Sequence, residues 1–392
     1  MKFVWQNDGH TSASGYGNFS NDLLTRLRDG KWNFAEIAFF TGRGQPIDLD
    51  GWRIYPVMGH PFGSDALRMH SLDFGAEVSF TMQDVWVFDP NDLQNVKRWV
   101  PYCPIDKDPI PPLVLDKLRY AYKIITFSKF GQKTLENAGF TSTLIVEGTD
   151  PEVFKPMDKM ALRKEMGIPE DCFLFGVVGA NKENPPRKGF QQMLDAFNIF
   201  YKNHPEARLF FHTQQTAPNN FPIQEYANYL GFADKTFYMN PYIATFKSDA
   251  KQIAKELNMF DVCFHPSQTE GFGLVVVESQ SCGVPVIVNN IHSMPELVKD
   301  GITGEICEHD KPLWTSDNSY IYPANVDSLV NKMEILYKKL HEKNTIAKDC
   351  RDWIVDNYNI NTLVKEKWIP FLTELQEEVL TNPVKDNNIN QP

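Results

Sequence analysis

The 392-residue chain has no apolar run of the roughly 18 residues that a helix needs to cross a bilayer. It also has no C-x-x-C pair, which removes the spacing expected of zinc ribbons and dithiol redox sites. Its six cysteines, Cys103, Cys172, Cys263, Cys282, Cys307 and Cys350, are scattered, and Cys263 and Cys282 fall in apolar runs, as suits a reducing compartment. Basic residues are in deficit, with 39 Lys and Arg against 50 Asp and Glu, a net charge of −11 at pH 7 and no dense Lys/Arg run. A surface-wide nucleic-acid footprint is therefore disfavoured, while a local basic groove stays open. The first segment, Met1–Trp5, meets the polar Gln6-Asn7-Asp8 and so lacks the apolar centre of a secretory signal. These absences lead us to expect a soluble, cytoplasmic protein, in the host cytoplasm if a virus encodes it, with at most a peripheral membrane attachment.

What is present suits two α/β domains, because 392 residues exceed one ordinary domain and can fill two cores. Early in the chain, short apolar strands alternate with amphipathic helices. Strands are predicted at Phe3–Trp5, Phe34–Phe40, Glu77–Thr81 and Lys123–Phe127, and a glycine-bearing turn joins the first of them to a helix at Asn18–Leu27. The periodicity breaks at Gly148–Pro156, a turn with two prolines. A short helix at Lys159–Met166 opens a second series, with strands at Phe173–Val178, Arg208–His212, Val262–Phe264 and Val284–Val288 and helices at Gly189–Tyr201 and Gly273–Gly283. This rhythm predicts parallel sheets covered by helices on both faces. The chain is accordingly divided into a first domain at 1–155, a second at 156–357 and a polar tail at 381–392. Helix is predicted from Val326 to Tyr358 and again over Asn361–Leu380. The apolar Trp368, Phe371 and Leu375 of that last segment need a surface, which a return across the cleft would supply, completing the first domain with 358–380.

The stretch richest in chemistry is His265–Ile287, where a polar loop with glycines follows a strand and runs into a helix. Such a loop presents unpaired backbone N–H groups and a positive helix end to an anion. Gly271 and Gly273, flanking Phe272 and followed by Leu274, allow close backbone approach to a diphosphate. Glu270 in the loop and Glu278 about one turn into the helix can accept hydrogen bonds from hydroxyl groups at two ends of a ligand. Two glutamates eight apart, taken alone, describe a solvated turn more often than a site. A second loop, Gly179–Gly189, follows the first strand of the second series and ends in Arg187-Lys188-Gly189, fixed positive charge of the kind a diphosphate leaving group needs. No D-x-D sits convincingly at a strand end, so no metal is expected.

The E-x7-E pair, followed by a G-V-P-V strand and preceded by Asp261-Val-Cys-Phe-His-Pro-Ser267, resembles the donor site of the large family of retaining glycosyltransferases, the glycosyl transferases group 1, family 4-like, with the GT-B fold. Three further segments match in order. Ser14-Gly-Tyr-Gly17 resembles the family's first glycine loop, Ser128-Lys-Phe-Gly131 the start of the last helix of its first domain, and Gly148–Pro156 its interdomain signature. The resemblance implies two Rossmann-like, doubly wound parallel sheets facing a central cleft. It also implies retention of anomeric configuration without cofactor or metal, from a UDP-, GDP- or ADP-sugar donor to a hydroxyl acceptor on a glycan, lipid, protein or modified DNA base. It assigns the transferred sugar to Glu270, the ribose to Glu278, and the phosphates to the glycine loops at Gly15 and Gly17 and at Gly271–Leu274, beside Gly179.

Two departures stand out. The arginine usual soon after the equivalent of Gly179 is replaced by Ala180-Asn181, which leaves Arg187, with Lys188, to supply the phosphate contact. The histidine usual after a mid-domain strand is replaced by Gln83 and Asp84, which become acceptor-side candidates together with Asp106 of the proline-rich loop and His10 of the first turn. A non-catalytic nucleotide-sugar binder, an epimerase or phosphorylase on the same architecture, and an enzyme acting on modified DNA bases remain alternative readings. The sequence does not indicate an oligomeric state.

Overall fold

The computed structural model describes every residue except 29, 40–43, 215–218, 247–248, 343–344 and 383–392. The end of the strand predicted at 34–40 and most of the predicted tail lie outside the described residues. Among the described residues, no helix is long and apolar enough to cross a membrane.

The first sheet consists of β1 (Lys2–Asn7), β2 (Asn33–Ala38), β3 (Ile47–Leu49), β4 (Trp52–Pro56), β5 (Val78–Met82), β6 (Trp99–Cys103), β7 (Ile125–Thr126) and β8 (Thr143–Leu144), in the order β3-β4-β2-β1-β5-β6-β7-β8. Only β3 runs antiparallel to its neighbour. Phe3, Val4 and Trp5 are all buried, so β1 has apolar cover on both faces, which explains its unbroken apolar run. The second sheet consists of β9 (Phe173–Val178), β10 (Ala207–His212), β11 (Thr236–Tyr238), β12 (Val262–His265), β13 (Val286–Asn289) and β14 (Gly304–Cys307), ordered β11-β10-β9-β12-β13-β14 and wholly parallel. Strand order reverses beside β1 in one sheet and beside β9 in the other. Loops leaving the carboxyl ends of β1, β5, β9 and β12 therefore diverge around a crevice, the usual ligand position in doubly wound sheets.

Two helix starts shape that crevice. The helix Gly15–Leu27 begins three residues before its predicted start, because the Ser14 hydroxyl accepts from the Gly17 N–H at 3.0 Å and closes the first turn. The helix Leu274–Ser281 has Gly273 at its N-cap with φ 110° and no side-chain cap, so its first N–H groups are left for another acceptor. Elsewhere, the helix predicted over 326–358 is two, Val326–Glu342 and Ile346–Asn357, and the strand predicted at 123–127 shrinks to β7. All six cysteines are buried and unpaired.

The last helical segment does return to the first domain. Trp368 is fully buried, with its ring 5.7 Å from Trp5 and 5.1 Å from Tyr102. Lys123 pairs with Glu378 at 2.6 Å. The chain thus passes between domains twice, and the two crossings are tied together. The Thr149 N–H donates to the Tyr358 carbonyl at 2.9 Å, and the Ile360 N–H to the Thr149 carbonyl at 3.1 Å. Arg26 adds contacts to Asp150 and Asn361, each at 2.7 Å.

Candidate functional site

A cavity of about 490 Å³ lies between the carboxyl edges of the two sheets. On the side of the second domain, the chain leaves β12 through His265-Pro266-Ser267 and turns Glu270 inward. The Ser267 hydroxyl donates to Glu270 Oε2 at 3.1 Å, Lys188 Nζ lies 2.5 Å from the same oxygen, and Arg187 is 3.6 Å away. The Ser293 hydroxyl fixes the loop by donating to the carbonyls of Glu270 and Phe272 at 3.1 and 2.9 Å. Burial alone would raise the Glu270 carboxyl, but Lys188 and Arg187 hold it well below the usual carboxylate range. Glu270 is therefore ionised and preoriented. The stem of Lys188 passes 3.6 Å from where a Cβ on Gly179 would stand, an ordinary packing distance, so Gly179 lies against the lysine's stem.

Glu278 differs from Glu270 in its surroundings. It is 7% exposed, lines the same cavity, and has no cation beside it among the described residues. Burial, with a smaller contribution from Asp22, pushes its carboxyl up to about 8. Burial likewise pushes Asp22 up to about 6, although Arg26 lies 3.4 Å away.

From the first domain come Asp8, Ser14, Gly15 and Tyr16 after β1, Asp84 after β5, Pro104 after β6 and Glu147 after β8. A Cβ on Gly15 would stand 4.0 Å from Leu274, so the two helix starts face each other across the cavity. Gly271 meets Pro104 so closely that a Cβ there would lie 2.4 Å from the proline side chain, and the Thr269 hydroxyl donates to the Asp106 carbonyl. The smallness of Gly271 thus serves contact between the domains. Asp84 opens onto the cavity within a shell of protein. Burial first, then Asp106, raises its carboxyl to about 6.

The structure brings most of the predicted residues to one place. Glu270, Gly271, Phe272, Gly273, Leu274 and Glu278 line the cavity from one side, with Gly179, Arg187 and Lys188 beside them and Gly15 and Asp84 opposite. Four candidates lie elsewhere. Gly17 is packed inside its own turn, where a Cβ would meet the carbonyls of Ser12 and Gly9 at 2.4 and 2.7 Å. The buried Gln83 turns away from the cavity and accepts from Gln6 Nε2 at 3.0 Å. Asp106 does not line the cavity, and its carbonyl accepts from the Thr269 hydroxyl of the other domain. His10 is held between Glu36 at 2.5 Å and Asp50 at 3.0 Å, with its ring on Trp52, and does not line the cavity. Among the cavity-lining residues missed from the sequence are Asp8, Tyr16, Glu147, Lys182, His212 and His265. For Asp8, His212 and His265 the position at the carboxyl end of a strand was the available signal. No group of three or more His, Cys, Asp or Glu side chains able to hold a metal occurs among the described residues.

Residues 158–313, which carry the Glu270–Glu278 segment and the basic pair, match the family described as glycosyl transferases group 1. The match falls within the second domain. D-inositol 3-phosphate glycosyltransferases are similar to this part of the chain. That of Stackebrandtia nassauensis is 30% identical over 182 residues, and that of Geodermatophilus obscurus 30% over 204. These matches take in 44% and 50% of this chain and only 39% and 41% of the relatives. Solved structures resemble the whole chain. The sucrose-phosphate synthase of Thermosynechococcus elongatus superposes with a TM-score of 0.75 at 14% identity, covering 96% of this chain and all of that one. HepE of Anabaena, in complex with UDP and glucose, superposes with a TM-score of 0.69 at 17% identity over 95% of this chain and all of its own. Together with the two parallel sheets, these likenesses give the chain the GT-B fold.

Proposed function

We propose that the chain is a retaining glycosyltransferase that moves a sugar from a nucleotide-diphosphate donor to a hydroxyl acceptor without a metal. The observation that carries this reading is a single cavity joining an ionised, preoriented Glu270, a second buried carboxyl at Glu278, the cations Arg187 and Lys188, and two opposed helix starts. The family of the second domain and the glycosyltransferase names of its relatives support it. The UDP and UDP-glucose in the HepE structures make UDP-sugars the first donors to try.

In this reading Glu270 accepts hydrogen bonds from hydroxyls of the transferred sugar and Glu278 from those of the ribose. The diphosphate gathers charge as its bond to the sugar breaks. Arg187, Lys188 and the N–H groups after Gly273 then stabilise it more strongly than in the ground state, and one such donor contributes on the order of 3 kcal/mol. That fixed positive charge is the basis for the metal-independent reading. A leaving phosphate oxygen takes the acceptor's proton, and Asp84, across the cavity, holds the acceptor hydroxyl.

The test is a screen of UDP-, GDP- and ADP-sugars for donor hydrolysis and transfer, with and without chelator, and with product anomers assigned by NMR. Turnover that survives chelation and yields retained product is expected. Inverted product would end the retaining assignment, and loss of activity to chelator that a divalent ion restores would end the metal-independent one. Tight donor binding with neither hydrolysis nor transfer would favour a non-catalytic binder.

A further inference from the structure

Glu147 follows β8 at the seam between the domains, is 4% exposed, and faces the cavity. Among the described residues, no cation and no hydrogen-bond donor meets its carboxyl. The charges acting on it are those of Glu270 and then Glu278. The Tyr102 hydroxyl, near enough to feel the charge of Glu147, is buried without a partner among the described residues. A buried polar group with no partner is costly, and a structural role would be filled better by an apolar side chain of the same size. A ligand that completes its hydrogen bonding accounts for its presence.

We propose that Glu147 is a third carboxyl of the donor site, through which the first domain contacts the diphosphate of a nucleotide sugar. The inference rests on the donor reading above. With the sugar at Glu270 and the ribose at Glu278, the group that spans the interval between the two glutamates is the diphosphate. A carboxylate there would repel it. Burial, and behind it the charges of Glu270 and Glu278, holds the Glu147 carboxyl well above the usual range. It therefore keeps its proton and donates an O–H to a phosphate oxygen, a charge-assisted hydrogen bond. Glu147 belongs to the first domain while Glu270 and Glu278 belong to the second, so this bond also draws the two domains onto the donor.

Calorimetric titration of inorganic pyrophosphate, and of UDP, GDP and ADP with their parent nucleosides, tests this without knowledge of the sugar. For Glu147→Ala we expect pyrophosphate and the preferred nucleoside diphosphate to bind about tenfold or more weakly, as loss of a hydrogen bond to a charged group implies, with the nucleoside unchanged. Glu147→Gln, which keeps an N–H donor, should stay within about threefold of the parent. Glu147→Met fills the same space without a donor and is expected to behave like the alanine variant, so it serves if that variant does not fold. Unchanged pyrophosphate affinity in Glu147→Ala or Glu147→Met overturns the proposal, and so does a nucleoside affinity that falls in step with the diphosphate, which would move Glu147 to the ribose. Failure of the parent protein to bind any nucleoside diphosphate would instead overturn the donor reading itself.

Discussion

Glu270 and Glu278 lie eight residues apart on one loop and helix, yet they carry opposite electrostatics. Glu270 is neutralised by Lys188 and Arg187 and stays charged, whereas Glu278 has only burial and Asp22 around it and is pushed up to about 8. The raised group sets a pH dependence. Its folded-state value exceeds its unfolded one, so its contribution to stability is fully present at acid pH, declines as pH rises from the ordinary carboxylate range, and is gone above about 8. Glu278→Gln should remove that decline. Denaturant unfolding at pH 5 and at pH 9 is expected to show the parent losing on the order of 3 kcal/mol more than the variant across that interval. An equal loss in both would place the pH sensitivity elsewhere. The same variant should weaken nucleotide binding. Glu270→Gln, by contrast, should chiefly lower turnover, by about a hundredfold, with nucleotide affinity little changed, as steady-state kinetics and calorimetry can separate.

Loops and helix ends join these residues across the cleft. Gly271 meets Pro104 where no Cβ fits, so Gly271→Ala must push the donor loop and the Pro104 loop apart. Turnover of the preferred donor is expected to fall at least tenfold, with thermal stability nearly unchanged, and full activity would show that the approach is dispensable. The helix Lys129–Asn137 takes part of its cap from the other domain, since Glu296 accepts from the N–H groups of Lys129 and Phe130 at 2.9 and 2.7 Å. Glu296→Ala should cost about 1–2 kcal/mol in denaturant unfolding, the usual value of a helix cap. An unchanged midpoint would mean that water replaces the carboxylate.

At the scale of the whole molecule, the two sheets are held together by the returning chain. Trp368 is fully buried between Trp5 and Tyr102, so Trp368→Ala is expected to cost about 3–5 kcal/mol, read as a lowered melting temperature with the loss of two-state unfolding. A second contact between the domains is an ion pair. Lys107 pairs with Asp317, whose carboxyl, despite burial, is held down to about 2 by Lys107, Thr315 and Ser319. The two contacts differ in kind, because an ion pair at the rim is weakened by salt and a buried indole is not.

The sequence by itself determined the alternation of strands and helices, the division into two α/β units, and the Glu270–Glu278 segment. Each is written in local periodicity, in glycine placement, or in a motif contained within one loop and helix. It also named Arg187 and Lys188 as the cations of the site, while the structure set them beside that segment, because both loops leave neighbouring strands of one sheet. Only the tertiary structure decided which first-domain residues share the cavity. Gln83 and Asp84 are adjacent in sequence, but successive residues at a strand end point in opposite directions, and only Asp84 reaches the cleft. His10 had the right loop but the wrong neighbours, since Glu36 of β2 and Asp50 of the turn between β3 and β4 converge on it from positions remote in sequence. Glu147 gave no sign of its role, because its environment is made by glutamates more than a hundred residues away that only folding brings near.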